Sequence, residues 1–73
     1  MILVTGAAGK TGQAVIRSLL DQGQAVRGFV RKTAQGERLK QLGADEVIVG
    51  DLLSLRDVSR AAQGTRAVYH ICP

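Results

Sequence analysis

The chain has 73 residues, one domain at most, close to the size at which a single core only just offsets chain entropy. Its apolar content is 45%, yet Phe29 and Tyr69 are the only aromatics, so the core must be built from Val, Ile and Leu, as suits a helix-covered parallel sheet. Ten Lys and Arg against six Asp and Glu give a net charge of +4, and the single cysteine, Cys72, excludes an internal disulfide and fits a reducing, cytoplasmic setting. The cations Lys10, Arg17, Arg27, Arg31, Lys32, Arg38, Lys40, Arg56, Arg60 and Arg66 are scattered, and no aromatic stacking platform accompanies them. Nucleic acid is therefore not the expected partner. The apolar start breaks at Thr5-Gly6, too short for a secretory leader, and no run reaches membrane-spanning length.

Residues 1–5 form a continuous apolar run, the signature of a central parallel strand buried on both faces. It leads into VTGAAGKTG, residues 4–12, where three glycines are spaced G-x-x-G-x-x-G. Gly6 permits the turn off the strand, Gly9 lets an anion approach the main chain, and Gly12 lets the next helix pack closely. The first-turn N–H groups of Lys10, Thr11 and Gly12 would point at a diphosphate from the positive end of the helix dipole. A dinucleotide is the natural occupant of such a cradle. Two other readings are a purely structural turn and a P-loop ending in Gly9-Lys10-Thr11. The G-x-x-x-x-G-K spacing of a P-loop fails, because it would need glycine where Val4 stands.

A helix is expected over residues 11–22, with Ala14, Val15, Ile16, Leu19 and Leu20 on its packed stripe and Gly23 as its stop. A second apolar strand covers residues 24–30 and ends at Arg31-Lys32. Thr33 can cap a short helix whose apolar side is chiefly Leu39 and Leu42, with Gly43 after it. Residues 46–49 read as a third strand, and Ser54 with Asp57 as the start of a third helix that carries Leu55, Val58, Ala61 and Ala62 on one face and closes at Gly64. Residues 67–72 read as a fourth strand, and Pro73 ends it.

The β-α-β-α-β-α-β alternation, with connections too long for hairpins, predicts a three-layer α/β/α Rossmann-type fold: a parallel sheet of strand order 3-2-1-4, truncated after strand 4, as one domain over residues 1–73. In such a sheet ligands bind beyond the carboxyl ends of the strands. An acid at the end of strand 2, about 20 residues past the glycines, would bind the ribose 2′-hydroxyl of NAD, whereas a cation accommodates the 2′-phosphate of NADP. Arg31 and then Lys32 occupy that place, which favours NADP, with NAD as the alternative. Asp51 could accept from an adenine amino group while Leu52 packs on the ring; the competing reading of Asp51 is a turn or cap acid. His70, Cys72 and Tyr69 are expected to pack rather than react, and no cluster has metal-ligand spacing.

VTGAAGKTG, V-R-K (30–32), G-D-L (50–52) and A-V-Y-H-I (67–71) together resemble the N-terminal half of an atypical short-chain dehydrogenase/reductase, specifically the NmrA-like NAD(P)-binding proteins. The resemblance implies cofactor contacts at Gly6, Gly9, Lys10, Thr11, Gly12, Arg31 and Asp51, and places the end of the fourth strand near the nicotinamide-side ribose. With the neighbouring Ala8, Lys32 and Leu52, these make up the candidate cofactor site. Members of the family continue well past this point with further strands and a substrate-binding part, and the Tyr-x-x-x-Lys pair of active reductases is missing here. The expectation is a cofactor-binding module of an oxidoreductase or redox sensor, with no catalysis by this chain alone. The alternative is a non-catalytic unit acting through partner binding or homodimerisation at an exposed strand-4 edge.

Overall fold

The computed structural model describes residues 1–71. The elements are β1 (Ile2–Thr5), α1 (Lys10–Asp21), β2 (Val26–Val30), α2 (Thr33–Leu42), β3 (Glu46–Val49), α3 (Leu55–Ala62) and β4 (Ala67–His70). All strand pairs are parallel, in the order β3-β2-β1-β4. This is the expected order, and its parallel strands are joined by helical crossovers that cover both faces of the sheet.

The pleat divides the core in two. Ile2 and Val4 of β1 join Val26 and Val30 of β2 on the face covered by α1 and α2, through Ile16, Leu19 and Leu39. Leu3 and Phe29 face the other way and meet Ala61 of α3. Helices on both faces explain why β1 is buried at every position.

Local chemistry sets the helix ends. Gly23 and Gly43 take positive φ, of 79° and 114°, just past α1 and α2. The Ser54 hydroxyl caps α3 by accepting from the Asp57 N–H at 3.2 Å. In α2 the N-cap is Lys32 and Thr33 is already helical; the Lys32 carbonyl accepts from the Gln35 N–H at 3.1 Å. The capping role expected of Thr33 therefore belongs one residue earlier.

Two expected core positions lie outside the core. Ala14 is exposed, because the buried stripe of α1 runs through Gly12, Ile16 and Leu19. Leu55 is 81% exposed: as the first residue of α3 it precedes the turn that reaches the sheet, and Ala61 carries the contact instead. Val68 and Tyr69 are about half exposed, and His70 is exposed, because β4 is paired to β1 on one side only. The expectation that Tyr69 and His70 pack in a buried strand end is corrected accordingly. The strand ends at His70, one residue short of Ile71, which was expected to belong to it; Cys72 and Pro73 lie outside the described residues.

Arg27 has a structural role that its sequence position did not disclose. Its guanidinium pairs with Glu46 at 2.9 Å and donates to the carbonyls of Ala61 and Gln63 at 2.6 Å each. It ties the carboxyl end of α3, where the helix dipole is negative, to the sheet.

Candidate dinucleotide site

β1 carries the chain to Gly6, whose φ of 64° turns it sharply off the sheet. A Cβ at Gly6 would also run into the Ile71 carbonyl oxygen, so both backbone angle and space require glycine there. Gly9 is the N-cap of α1 and offers no side-chain cap; its carbonyl accepts from the Gln13 N–H at 2.9 Å. The N–H groups of Lys10, Thr11 and Gly12 are left without a protein acceptor among the described residues. Gln13 fixes the loop from the helix side, donating from Nε2 to the Ala8 carbonyl at 2.7 Å. Gly12 lets α1 sit directly on the loop, since a Cβ there would lie 2.7 Å from the Ala7 Cα. The result is a rigid turn with main-chain donors at the positive end of a helix dipole, which is an anion cradle.

This loop forms one wall of a cleft of about 550 Å3 at the carboxyl ends of the strands. Gly6, Ala8, Gly9, Lys10, Thr11 and Gly12 all line it, as do Arg31 after β2 and the pair Asp51 and Leu52 after β3. Lys32 is not among the residues lining it; its main chain is the N-cap of α2, and of the two adjacent cations Arg31 lines the cleft. Asp51 is partly committed to its turn, for Oδ1 accepts from the Leu53 N–H at 2.8 Å and its own N–H donates to Asp57 at 3.0 Å. Its other carboxylate oxygen has no partner among the described residues.

Gln35 and Leu53 also line the cleft and were not among the sequence candidates, nor were Ala7, Phe29 and Val30. The strand-end residues flank motifs that the sequence does mark. Gln35 was not singled out, and it reaches the cleft from the first turn of α2, four residues past Arg31.

His70 stands at the end of β4, its Nδ1 2.7 Å from the buried Thr5 hydroxyl. No group of three or more His, Cys, Asp or Glu among the described residues could hold a metal ion. No described helix is long and apolar enough to cross a membrane.

A parallel α/β sheet with a glycine-rich strand-to-helix turn and a cleft at its carboxyl rim defines a dinucleotide-binding domain. The NAD(P)H-binding family profile matches residues 6–72, and the chain belongs to that family. It is 37% identical over 68 residues to the sterol demethylase protein B of Methylococcus capsulatus, covering 93% of this chain and 20% of that protein. It is 38% identical over 68 residues to a putative dihydroflavonol 4-reductase of Synechocystis, covering 93% and 19%. The crystal structure of a short-chain dehydrogenase/reductase superfamily protein from Agrobacterium tumefaciens, with NAD bound, superposes with a TM-score of 0.78 at 40% identity, covering 99% of this chain and 20% of that one. These likenesses are consistent with the N-terminal half of an NmrA-like, atypical short-chain reductase. The chain spans about a fifth of the length of the curated relatives it matches.

Proposed function

We propose that residues 1–73 form the adenosine- and diphosphate-binding unit of an NADP-preferring oxidoreductase or redox sensor, working in a reducing cytoplasm. The observation that carries this reading is the placement of Arg31 in the cleft at the carboxyl end of β2, where an acid would select NAD. Lys10 and Arg31 outnumber Asp51 among the charged lining residues, so the cleft suits a ligand with several phosphates. In this reading Gly6, Ala8, Gly9, Lys10, Thr11 and Gly12 hold the diphosphate. Arg31 meets the 2′-phosphate, and Asp51 and Leu52 take the adenine. Bound NADP would supply the hydride chemistry, while this chain's residues bind and orient its adenosine half. Titration of the chain with NADPH and NADH should show NADPH binding about tenfold more tightly, the worth of one charge-assisted contact; equal affinities would refute the preference.

The free edge of β4 favours a partner arrangement as well. Val68 and Tyr69 are 51% and 46% exposed on a strand that pairs only with β1. Two copies joined through this edge would form a twofold homodimer. Light scattering of the 73-residue chain should then give the mass of a dimer that Tyr69→Lys dissociates, and a monomer at high concentration would refute it.

A further inference from the structure

We propose that Gln35 is a second discriminator at the adenosine 2′ position, its carboxamide held as a hydrogen-bond donor that favours a 2′-phosphate over a 2′-hydroxyl. The proposal rests on reading the cleft as an NADP site. Gln35 lies in the first turn of α2, is half-buried, and lines the same cleft as Arg31.

Its amide orientation is fixed by chemistry. The Lys32 main-chain N–H can only donate, and the Gln35 atom 3.1 Å from it is therefore the acceptor, Oε1. That contact uses the oxygen and leaves Nε2, with two hydrogens, free of any hydrogen-bond partner among the described residues. A ribose 2′-hydroxyl carries a proton that needs an acceptor, whereas a phosphate group at that position accepts through every exposed oxygen. With Oε1 already accepting from Lys32, Gln35 offers its free Nε2 as a donor, which together with Arg31 in the same cleft suits a phosphate better than a hydroxyl. The first turn of α2, which holds Gln35, contains no acidic residue, and the nearest on that helix is Glu37 in the next turn.

The test uses the full chain and two probes that differ only in the group concerned, adenosine 2′,5′-bisphosphate and adenosine 5′-monophosphate, titrated calorimetrically. The wild-type chain should bind the bisphosphate more tightly. Gln35→Ala should lose about tenfold in affinity for the bisphosphate and little for the monophosphate. Gln35→Glu keeps an oxygen for the Lys32 N–H but adds a carboxylate, and should reverse the preference. Far-UV circular dichroism checks that both variants fold. If both keep the wild-type ratio while Arg31→Ala removes it, Gln35 plays no part and the NADP reading stands alone. If the wild-type chain binds both probes equally, the NADP reading falls and this inference with it.

Discussion

Replacing Gly12 by alanine should lower the melting temperature by roughly 10–20 °C and abolish cofactor binding near the new midpoint. The added methyl would overlap the Gly6 carbonyl oxygen and lie 2.7 Å from the Ala7 Cα and 2.9 Å from its carbonyl carbon. All three are backbone atoms, so no rotamer change relieves the contact and α1 must lift from the loop. Overpacking of this kind costs about 1–3 kcal/mol or more. In a domain of this size that translates to about 4–8 °C per kcal/mol, and total stability is only about 5–15 kcal/mol. Gly9→Ala provides the contrast: there the Cβ would meet only the Gly6 carbonyl oxygen, at 3.9 Å, while the residue still lines the cleft. It should melt within a few degrees of wild type, yet bind NADPH far more weakly, because the methyl takes space the diphosphate needs. Thermal melts with and without NADPH separate the two effects. A Gly12→Ala chain as stable as wild type would contradict the close helix-to-loop packing.

Arg31→Ala should weaken NADPH binding about tenfold and leave NADH binding nearly unchanged, as expected for the loss of a charge-assisted contact. The side chain is exposed and makes no hydrogen bond or ion pair to protein groups among the described residues, so the fold should not register its loss. The wild-type preference for NADPH should also shrink as salt is raised, since part of it is screened Coulomb attraction. Parallel titrations with both cofactors at low and high salt check this. An Arg31→Ala chain that retains the full preference would show that Arg31 does not read the 2′ position.

Much of the fold was legible because its signals are local. The glycine spacing, the helix stops at Gly23 and Gly43 and the Ser54 cap depend on residues within a turn of one another, and each stands where its chemistry requires. Strand order followed from the βα alternation read together with the glycine-rich turn after β1, which marks the 3-2-1-4 type of sheet, while handedness fixed only the sense of each crossover. What escaped depends on distant neighbours. Arg27 looks like a surface cation until the chain brings Ala61 and Gln63, more than thirty residues away in sequence, to its guanidinium. That the main chain of Lys32, next to Arg31, serves as the N-cap of α2 was not legible either, since Thr33 looked the better cap. Periodicity placed Leu55 on the apolar face without showing that the first residue of α3 stands clear of the sheet. The free edge of β4 was expected from the element order, but the apolar pattern did not show that Tyr69 and His70 would stand exposed on that strand.

The most direct test is a titration of the 15N-labelled chain with NADPH, followed by amide chemical shifts. Saturable shifts should concentrate in residues 6–12, at Arg31 and Gln35, and in residues 51–53, while the outer positions of α1 and α3 stay fixed. At a hundredfold excess over the dissociation constant, the melting temperature should rise by roughly 10 °C or more, as about 2.7 kcal/mol of linked stabilisation requires. Absence of saturable shifts at millimolar NADPH and NADH, or shifts confined to β4, would contradict the assignment of this cleft as the dinucleotide site.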